Sequence, residues 1–328
     1  MSQRLSLAVQ SGDFAIPETG RIAVFHPREA HDLSALPPAQ VEIIQPMKPD
    51  HDVWDARGYA CVPEVATGAR FDLAVVFIPR AKRLARHLLA QAVAVTDGPV
   101  LVDGAKTDGI DSLLKELKAR TVPSAAISKA HGKAFRIDGG LDLSDWLAAP
   151  QQVTADFVTA PGVFSADGID PASRHLAACL PAKLGSTVAD LGAGWGYLSA
   201  QILTRAGVSK LHLVEADHDA LTCAQRNVAD PRAEFHWADA RSWGSKGSLD
   251  AVVMNPPFHS GRAAEPALGQ AFIANAARLL KPSGQLWMVA NRHLPYETAL
   301  AEAFASVVEA GGDNRFKILH ASRPRRGR

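Results

Sequence analysis

From Thr187 onward the chain alternates short apolar runs with amphipathic segments, and that alternation leaves few folds open. "TVADLG", "KLHLVEAD", "AEFHWADA", "LDAVVMN" and "GQLWMVAN" read as strands, while "YLSAQILTRAG", "DALTCAQRNVA" and "GQAFIANAARLLKPSG" read as helices among them. Leu198, Ile202 and Leu203 share one side of the first helix, with Gly207 as its expected C-cap; the third is expected to stop at Pro282 and Gly284. Strands separated by helices build βαβ units and a parallel sheet. Such a sheet is covered on both faces, which is why a run such as Ala251 to Met254 needs no polar alternation. The end differs: after the helix "YETALAEAF", the runs "SVVEA" and "RFKILHAS" flank the turn "GGDN" and predict an antiparallel hairpin.

The first half repeats this plan. "FDLAVVFIPR" (Phe71 to Arg80) parallels "LDAVVMNPPF", and "GPVLVDG" parallels "GQLWMVAN". "DSLLKELKA" parallels "YETALAEAF", and "SAAISKAHGKAFRI" parallels "SVVEAGGDNRFKI". The expected architecture is α/β, two duplicated Rossmann-like domains at 1–150 and 151–328, with a linker near Pro150, Gln151 and Gln152. The first copy has Ile78-Pro79-Arg80 where the second has Asn255-Pro256-Pro257-Phe258, and no glycine-rich loop follows its first strand, "RIAVFHPRE". It is therefore expected to hold no cofactor and to serve structure or substrate recognition.

No apolar run approaches the roughly 20 residues that span a bilayer, and "MSQRLSLAVQSGDF" lacks the pattern of a signal peptide. Cys61, Cys179 and Cys223 are scattered without a CxxC pair, which fits reduced thiols in a cytoplasmic protein better than a disulfide framework or zinc site. The histidines show no HxH or HExxH spacing, so no metal is expected. The net charge is +1, yet Asp313 to Arg328 carries Arg315, Lys317, Arg323, Arg325, Arg326 and Arg328 against one acid. That stretch is read either as a phosphate-binding arm or as a solvated tail.

"VADLGAGWGYLS" places Gly192, Gly194 and Gly196 between a strand and a helix, where glycine permits a tight turn and close backbone approach to a ligand. A dinucleotide loop has its third glycine one residue later, at Tyr197 here, whose bulk would crowd a pyrophosphate. S-adenosylmethionine has no phosphate, and its amine and sulfonium suit a loop preceded by an acid, Asp190. Glu215, roughly 20 residues on, is placed to accept ribose hydroxyls, and Asp239, at the end of the third strand, to accept an adenine amine. Each acid alone fits a solvated carboxylate or a helix cap equally well, as Asp217 and Asp219 do. Their order at successive strand ends is what points to a cofactor cleft.

The fourth strand runs into Asn255, Pro256, Pro257 and Phe258. The prolines cannot donate to a ladder, so they end the strand, and they leave a rigid carbonyl free. The Asn255 amide oxygen and the Pro256 carbonyl can together accept both hydrogens of an exocyclic amine and localise its lone pair toward a methyl donor. Phe258 offers a face for the base, a stack of about 1–3 kcal/mol that offsets the cost of unpairing it. His259 follows, as a proton acceptor or an RNA contact.

These motifs, with "PGVFSADGIDPASRHL" (Pro161 to Leu176) and "ANRHLPYE" (Ala290 to Glu297), resemble those of the ribosomal RNA guanine-N2 methyltransferases, above all the small-subunit methyltransferase C family; a large-subunit relative is similar. The resemblance is good over roughly 161–321 and looser before it. It implies two class I methyltransferase domains, the second a mostly parallel seven-stranded sheet ending in an antiparallel hairpin, the first without cofactor. It implies S-adenosylmethionine as cofactor and a guanine amine of 16S RNA as acceptor, in a ribosomal subunit or assembly intermediate; the sequence leaves the oligomeric state open, with a monomer favoured. By resemblance, Asn255 to Phe258 hold the guanine, Gly192 to Gly196 the methionine end, Glu215 the ribose and Asp239 the adenine; His259, Arg323, Arg325 and Arg326 are candidate RNA contacts. One departure is Ala172 in Ile169-Asp170-Pro171-Ala172-Ser173, where the family usually has glycine. The alternatives are other amine acceptors (large-subunit guanine N2, adenine N6, a protein glutamine amide) or a non-catalytic RNA-binding assembly factor.

Overall fold

The computed structural model describes residues 3–257 and 266–325, and the chain divides into two compact units, Met1–Pro150 and Gln151–Arg328. In the first, the strands are β1 (Ile22–Phe25), β2 (Val41–Ile44), β3 (Ala60–Val62), β4 (Leu73–Phe77), β5 (Val100–Ala105), β6 (Ile127–Lys129) and β7 (Gly132–Ile137). Around them lie α1 (Arg4–Gln10), α2 (Lys48–Ala56), α3 (Lys82–Val95) and α4 (Ile110–Leu117). The second begins with a small ladder, β8 (Gln151–Gln152) and β9 (Val158–Thr159), followed by α5 (Pro171–Cys179). Its main elements are β10 (Thr187–Leu191), α6 (Tyr197–Leu203), β11 (Lys210–Glu215), α7 (His218–Asn227), β12 (Ala233–Trp237) and β13 (Leu249–Met254). Then come α8 (Pro266–Leu279), β14 (Leu280–Asn291), α9 (Tyr296–Ala303), β15 (Phe304–Gly312) and β16 (Phe316–Pro324).

The two seven-stranded sheets share one topology, β3-β2-β1-β4-β5-β7-β6 and β12-β11-β10-β13-β14-β16-β15. In the second, β10 runs parallel to β11 and β13, and β16 lies antiparallel between β14 and β15. Both faces are covered: Val188, Leu211, Leu213 and Val253 pack with Leu176, Leu198 and Ile202 on one side, while Leu191, Val252, Met254 and Met288 pack with Phe272, Ile273 and Ala276 on the other. Each of the larger side chains contributes roughly 1.5–3 kcal/mol by leaving water.

Three local expectations change. The helix expected to reach Pro282 ends at Leu279, and Leu280 already pairs with Leu249. A register shift between Leu249 and Ala251 loosens that stretch of ladder, so Pro282 takes a strand position without costing a regular bond. Gly207 does not cap α6, which closes at Thr204; it sits in a left-handed turn farther on. The basic C-terminal stretch is neither arm nor tail over its described part. It forms β16, with Lys317 buried and paired to Glu297 at 2.5 Å, because an apolar run, Ile318, Leu319 and Ala321, carries its charges into the sheet. Arg326 lies outside the described residues.

In the first unit, the region after β1 is filled by side chains. The Pro27 carbonyl accepts hydrogen bonds from Gln45 Nε2 at 2.8 Å and Trp54 Nε1 at 3.0 Å. His31 stacks on Phe77 at the end of β4, ring centroids 4.0 Å apart, and burial followed by the Arg28 charge pushes its pKa down to about 4. Ile78 is buried where Asn255 stands in the second unit.

Candidate active site

The strand order reverses direction between β10 and β13, and their C-terminal ends frame a cleft, the usual ligand edge of such sheets. Gly192 follows β10, and Asn255 follows β13; both line this cleft, with Asp170, Ser173, Gly194, Trp195 and Tyr197 among its walls. Gly194 has φ +54, and a Cβ there would meet nothing within 4 Å, so its open side faces the cleft. Gly196 does a different job. It starts α6 with φ +92, and a Cβ would lie 2.9 Å from Val228 Cγ2 and 3.3 Å from Ala224 Cβ, so it lets α6 pack against α7. Gly196→Ala is expected to destabilise the protein by about 2–3 kcal/mol in urea unfolding, from a left-handed backbone plus a clash. The control Gly207→Ala, with φ +83 and open space, carries only the backbone part.

Acids converge on the glycine loop. Asp190 is fully buried at the end of β10; its Oδ2 accepts from Ser199 Oγ at 2.7 Å, while Oδ1 has no partner among the described residues. Burial pushes this carboxyl up to about 7, with the Glu215 charge adding to the shift. Glu215 accepts the Gly194 N–H at 2.7 Å and the Asp217 N–H at 2.8 Å, so it holds the loop in shape and keeps lone pairs to spare. Asp217 caps α7 through the Asp219 N–H, and burial, then Asp219 and Glu215, push it up to about 8. A cluster of carboxyls that resist ionising together favours a ligand bearing positive charge or hydroxyl donors. S-adenosylmethionine, with an amine, a sulfonium and ribose hydroxyls, fits that donor set, the orphaned Asp190 oxygen and the open side of Gly194.

Asn255 is oriented by residues 82 and 85 positions earlier: its Nδ2 donates to Ser173 Oγ at 2.9 Å and to Asp170 Oδ2 at 3.0 Å. Asp170 also caps α5 through the Ser173 N–H at 2.8 Å. With both amide hydrogens committed, Asn255 Oδ1 is left buried and without a partner among the described residues, as an acceptor. Pro256 is buried and Pro257 exposed, and β13 ends at Met254 just before them. Phe258 and His259 lie outside the described residues. Ala172 packs in the core beside this contact, so the cap and the Asn255 anchor coexist with its methyl group.

Some expected residues stand elsewhere. Asp239 lies two residues past β12, where its carboxylate accepts the Arg241 N–H and pairs with that guanidinium at 2.6 Å. Like Asp190 and Glu215, it stands at a strand's C-terminal end and is not among the residues that wall the cleft. Arg323 and Arg325, expected as RNA contacts, lie at the opposite edge of the sheet from the cleft. In the antiparallel pair, Ser322 faces Gln285 at the start of the parallel run and Phe316 faces Asn291 at its end, so the last residues of β16 point away from the catalytic edge. Arg325 there caps carbonyls of Ala303 and Phe304. At the catalytic edge, Arg292, His293 and Arg315 stand around an open groove with Asn291 and Asn314. Phe164 is a further missed residue: 61% exposed at the cleft mouth, with its carbonyl held by Trp195 Nε1 at 3.0 Å. The motif "PGVFSADGID" contained it, and an aromatic in a turn-rich segment was the available signal.

The fold and this cleft define a methyltransferase, and a family model described as methyltransferase small domain matches residues 154–320. The chain is 31% identical over 263 residues to the ribosomal RNA small subunit methyltransferase C of Shewanella sp. (strain MR-4), covering 76% of each. It is 31% identical over 283 residues to that of Shewanella pealeana, covering 78% of each. The chain belongs to the ribosomal RNA small subunit methyltransferase C family. A solved structure described as the T. thermophilus 16S rRNA N2 G1207 methyltransferase in complex with AdoMet and guanosine shares the fold, with TM-score 0.78 over 94% of this chain and 90% of that one at 23% identity. Among the described residues, no helix is long and apolar enough to cross a membrane.

Proposed function

We propose that this protein transfers the methyl group of S-adenosylmethionine to the exocyclic N2 amine of a guanine in 16S ribosomal RNA, acting on a small subunit or an assembly intermediate. The observation that carries the acceptor side is the amide of Asn255, a residue that lines the cleft: both hydrogens are spent on Asp170 and Ser173, so the buried oxygen is left as an acceptor without a partner among the described residues. An amine needs acceptors, and an amide turned this way is one. S-adenosylmethionine supplies an electrophilic methyl group and a neutral thioether leaving group. The chain's part is positional. Gly192 to Gly196 and Asp190 receive the methionine end, and Glu215 the ribose; Asn255 Oδ1 and the Pro256 carbonyl grip the amine so that its lone pair points at the methyl carbon. Fixing the two reactants in line removes much of the entropic barrier. Phe164, at the mouth, and Phe258 offer faces for a flipped base, and Arg315 offers positive charge, with His293 a hydrogen-bonding side chain, to the flanking phosphates.

The first unit is read as a cofactor-free copy that supports substrate recognition, because Gln45, Trp54 and His31 fill the region a cofactor would need. In an assay with labelled S-adenosylmethionine and unmodified small subunits, digestion to nucleosides should yield N2-methylguanosine. Methyladenosine as the sole product would overturn the acceptor assignment, and labelled protein with unlabelled RNA would point to an amide acceptor instead.

A further inference from the structure

We propose that His212, Glu234 and His236 form a binding site for one zinc-class divalent cation, which ties the edge strand β12 to β11. The three come from two adjacent strands. His212 lies opposite Glu234 and Val214 opposite His236 in the parallel register, so the period of two puts all three side chains on one face. His212 Nδ1 lies 3.0 Å from His236 Nε2 and 3.3 Å from Glu234 Oε2, and the three donor atoms all fall within 4.8 Å of one another. Tetrahedral zinc with bonds of about 2.0–2.1 Å sets its donors roughly 3.3 Å apart, so little movement is needed to close on an ion.

The surroundings favour a ligand set over a chance cluster. The Trp243 ring covers both imidazoles, its centroid 5.2 Å from His212 and 4.9 Å from His236. That cover keeps water from one side of the pair. Lys210 takes the other Glu234 oxygen at 2.7 Å, which turns Oε2 toward the histidines. Two imidazoles and one carboxylate leave a fourth position for water. None of the three residues lines the cofactor cleft. The consequence is structural: every residue of β12 is only half-buried, and β12 is the outermost strand, beside the strand that ends in Glu215. A cation here would hold that edge in register.

The test uses the full chain, stripped of metal with a chelator and titrated with ZnCl2 alone at pH 7.5 by calorimetry. One ion per chain is expected, with a thermal unfolding midpoint that rises on zinc addition. His212→Ala and His236→Ala should each weaken uptake at least tenfold and abolish the zinc-dependent rise, and Lys210→Ala should tighten uptake several-fold by removing a competing charge. Glu234→Gln preserves side-chain volume and should weaken uptake if the alanine variants fold poorly. Absence of stoichiometric uptake by the unsubstituted chain, or uptake unaffected in His236→Ala and Glu234→Gln, overturns the site and leaves a simple imidazole–imidazole hydrogen bond.

Discussion

Asn255→Ala is expected to lower the methyl-transfer rate by about 10²–10³-fold while leaving S-adenosylmethionine affinity within a few-fold, the usual cost of deleting one preorganised polar contact to a reacting group. The measurement is single-turnover transfer to small subunits beside calorimetric cofactor binding. The cause is specific. Alanine removes the acceptor that holds the amine, and it also takes from Asp170 and Ser173 the amide to which both bond. Asp170→Ala tests the same geometry from its other end. Its carboxylate holds the amide orientation from 3.0 Å away, so its loss lets Asn255 rotate, and about a tenfold to hundredfold fall in rate follows from misplacement alone. Should Asn255→Ala turn over at the unsubstituted rate, the amide does not grip the amine.

Asp103→Leu should cost the first unit about 3–5 kcal/mol, because it strands a buried cation. Arg4, on α1, is 4% exposed; it bonds Asp103 Oδ1 through Nε at 3.0 Å and again through Nη2, and it donates to the Lys129 carbonyl at 2.9 Å. Remove the carboxylate and the guanidinium keeps only carbonyl partners among these contacts. The double variant Arg4→Met with Asp103→Leu should recover most of the loss, since replacing both charges with apolar groups leaves neither one unpaired. Denaturant unfolding of the three variants measures it, and a double variant no better than Asp103→Leu would show that the pair is not the source. The close fit extends to Gly132, where a Cβ would fall 2.5 Å from Arg4 Nη1.

Much of the architecture follows from local pattern. Runs such as Ala251 to Met254 and Leu286 to Ala290 are too apolar for any place but a doubly covered strand. Gly192, Gly194 and Gly196 mark backbone that other residues adopt at a cost, and all three do have positive φ. The hairpin of β15 and β16 was legible from "GGDN", and the repeat of the first half within the second predicted two sheets of one topology. The boundary at Pro282 was misread because proline's preference for turns is a local rule, and an irregular ladder satisfied it otherwise.

What local pattern could not carry is contact across the chain. Asn255 shows its amide chemistry in the string of letters, but which of its two ends faces the cleft depends on Asp170 and Ser173, brought to it by α5. The same holds for Arg4 with Asp103, and for His212 with Glu234 and His236, whose spacing matches no linear motif because a strand register, not a helical turn, makes them neighbours. Charge was the most misleading quantity. Lys317 falls in a stretch that reads as a phosphate-binding arm or a solvated tail, yet an apolar run in the same stretch carries it into a strand, since burying Ile318, Leu319 and Ala321 outweighs leaving the segment in water. Elements and their order therefore belong to the amino-acid string, where short-range sterics and hydrophobic period act; the direction of an amide, the partner of a buried charge and the edge on which a cation stands belong to folding, which alone sets distances between residues far apart in the chain.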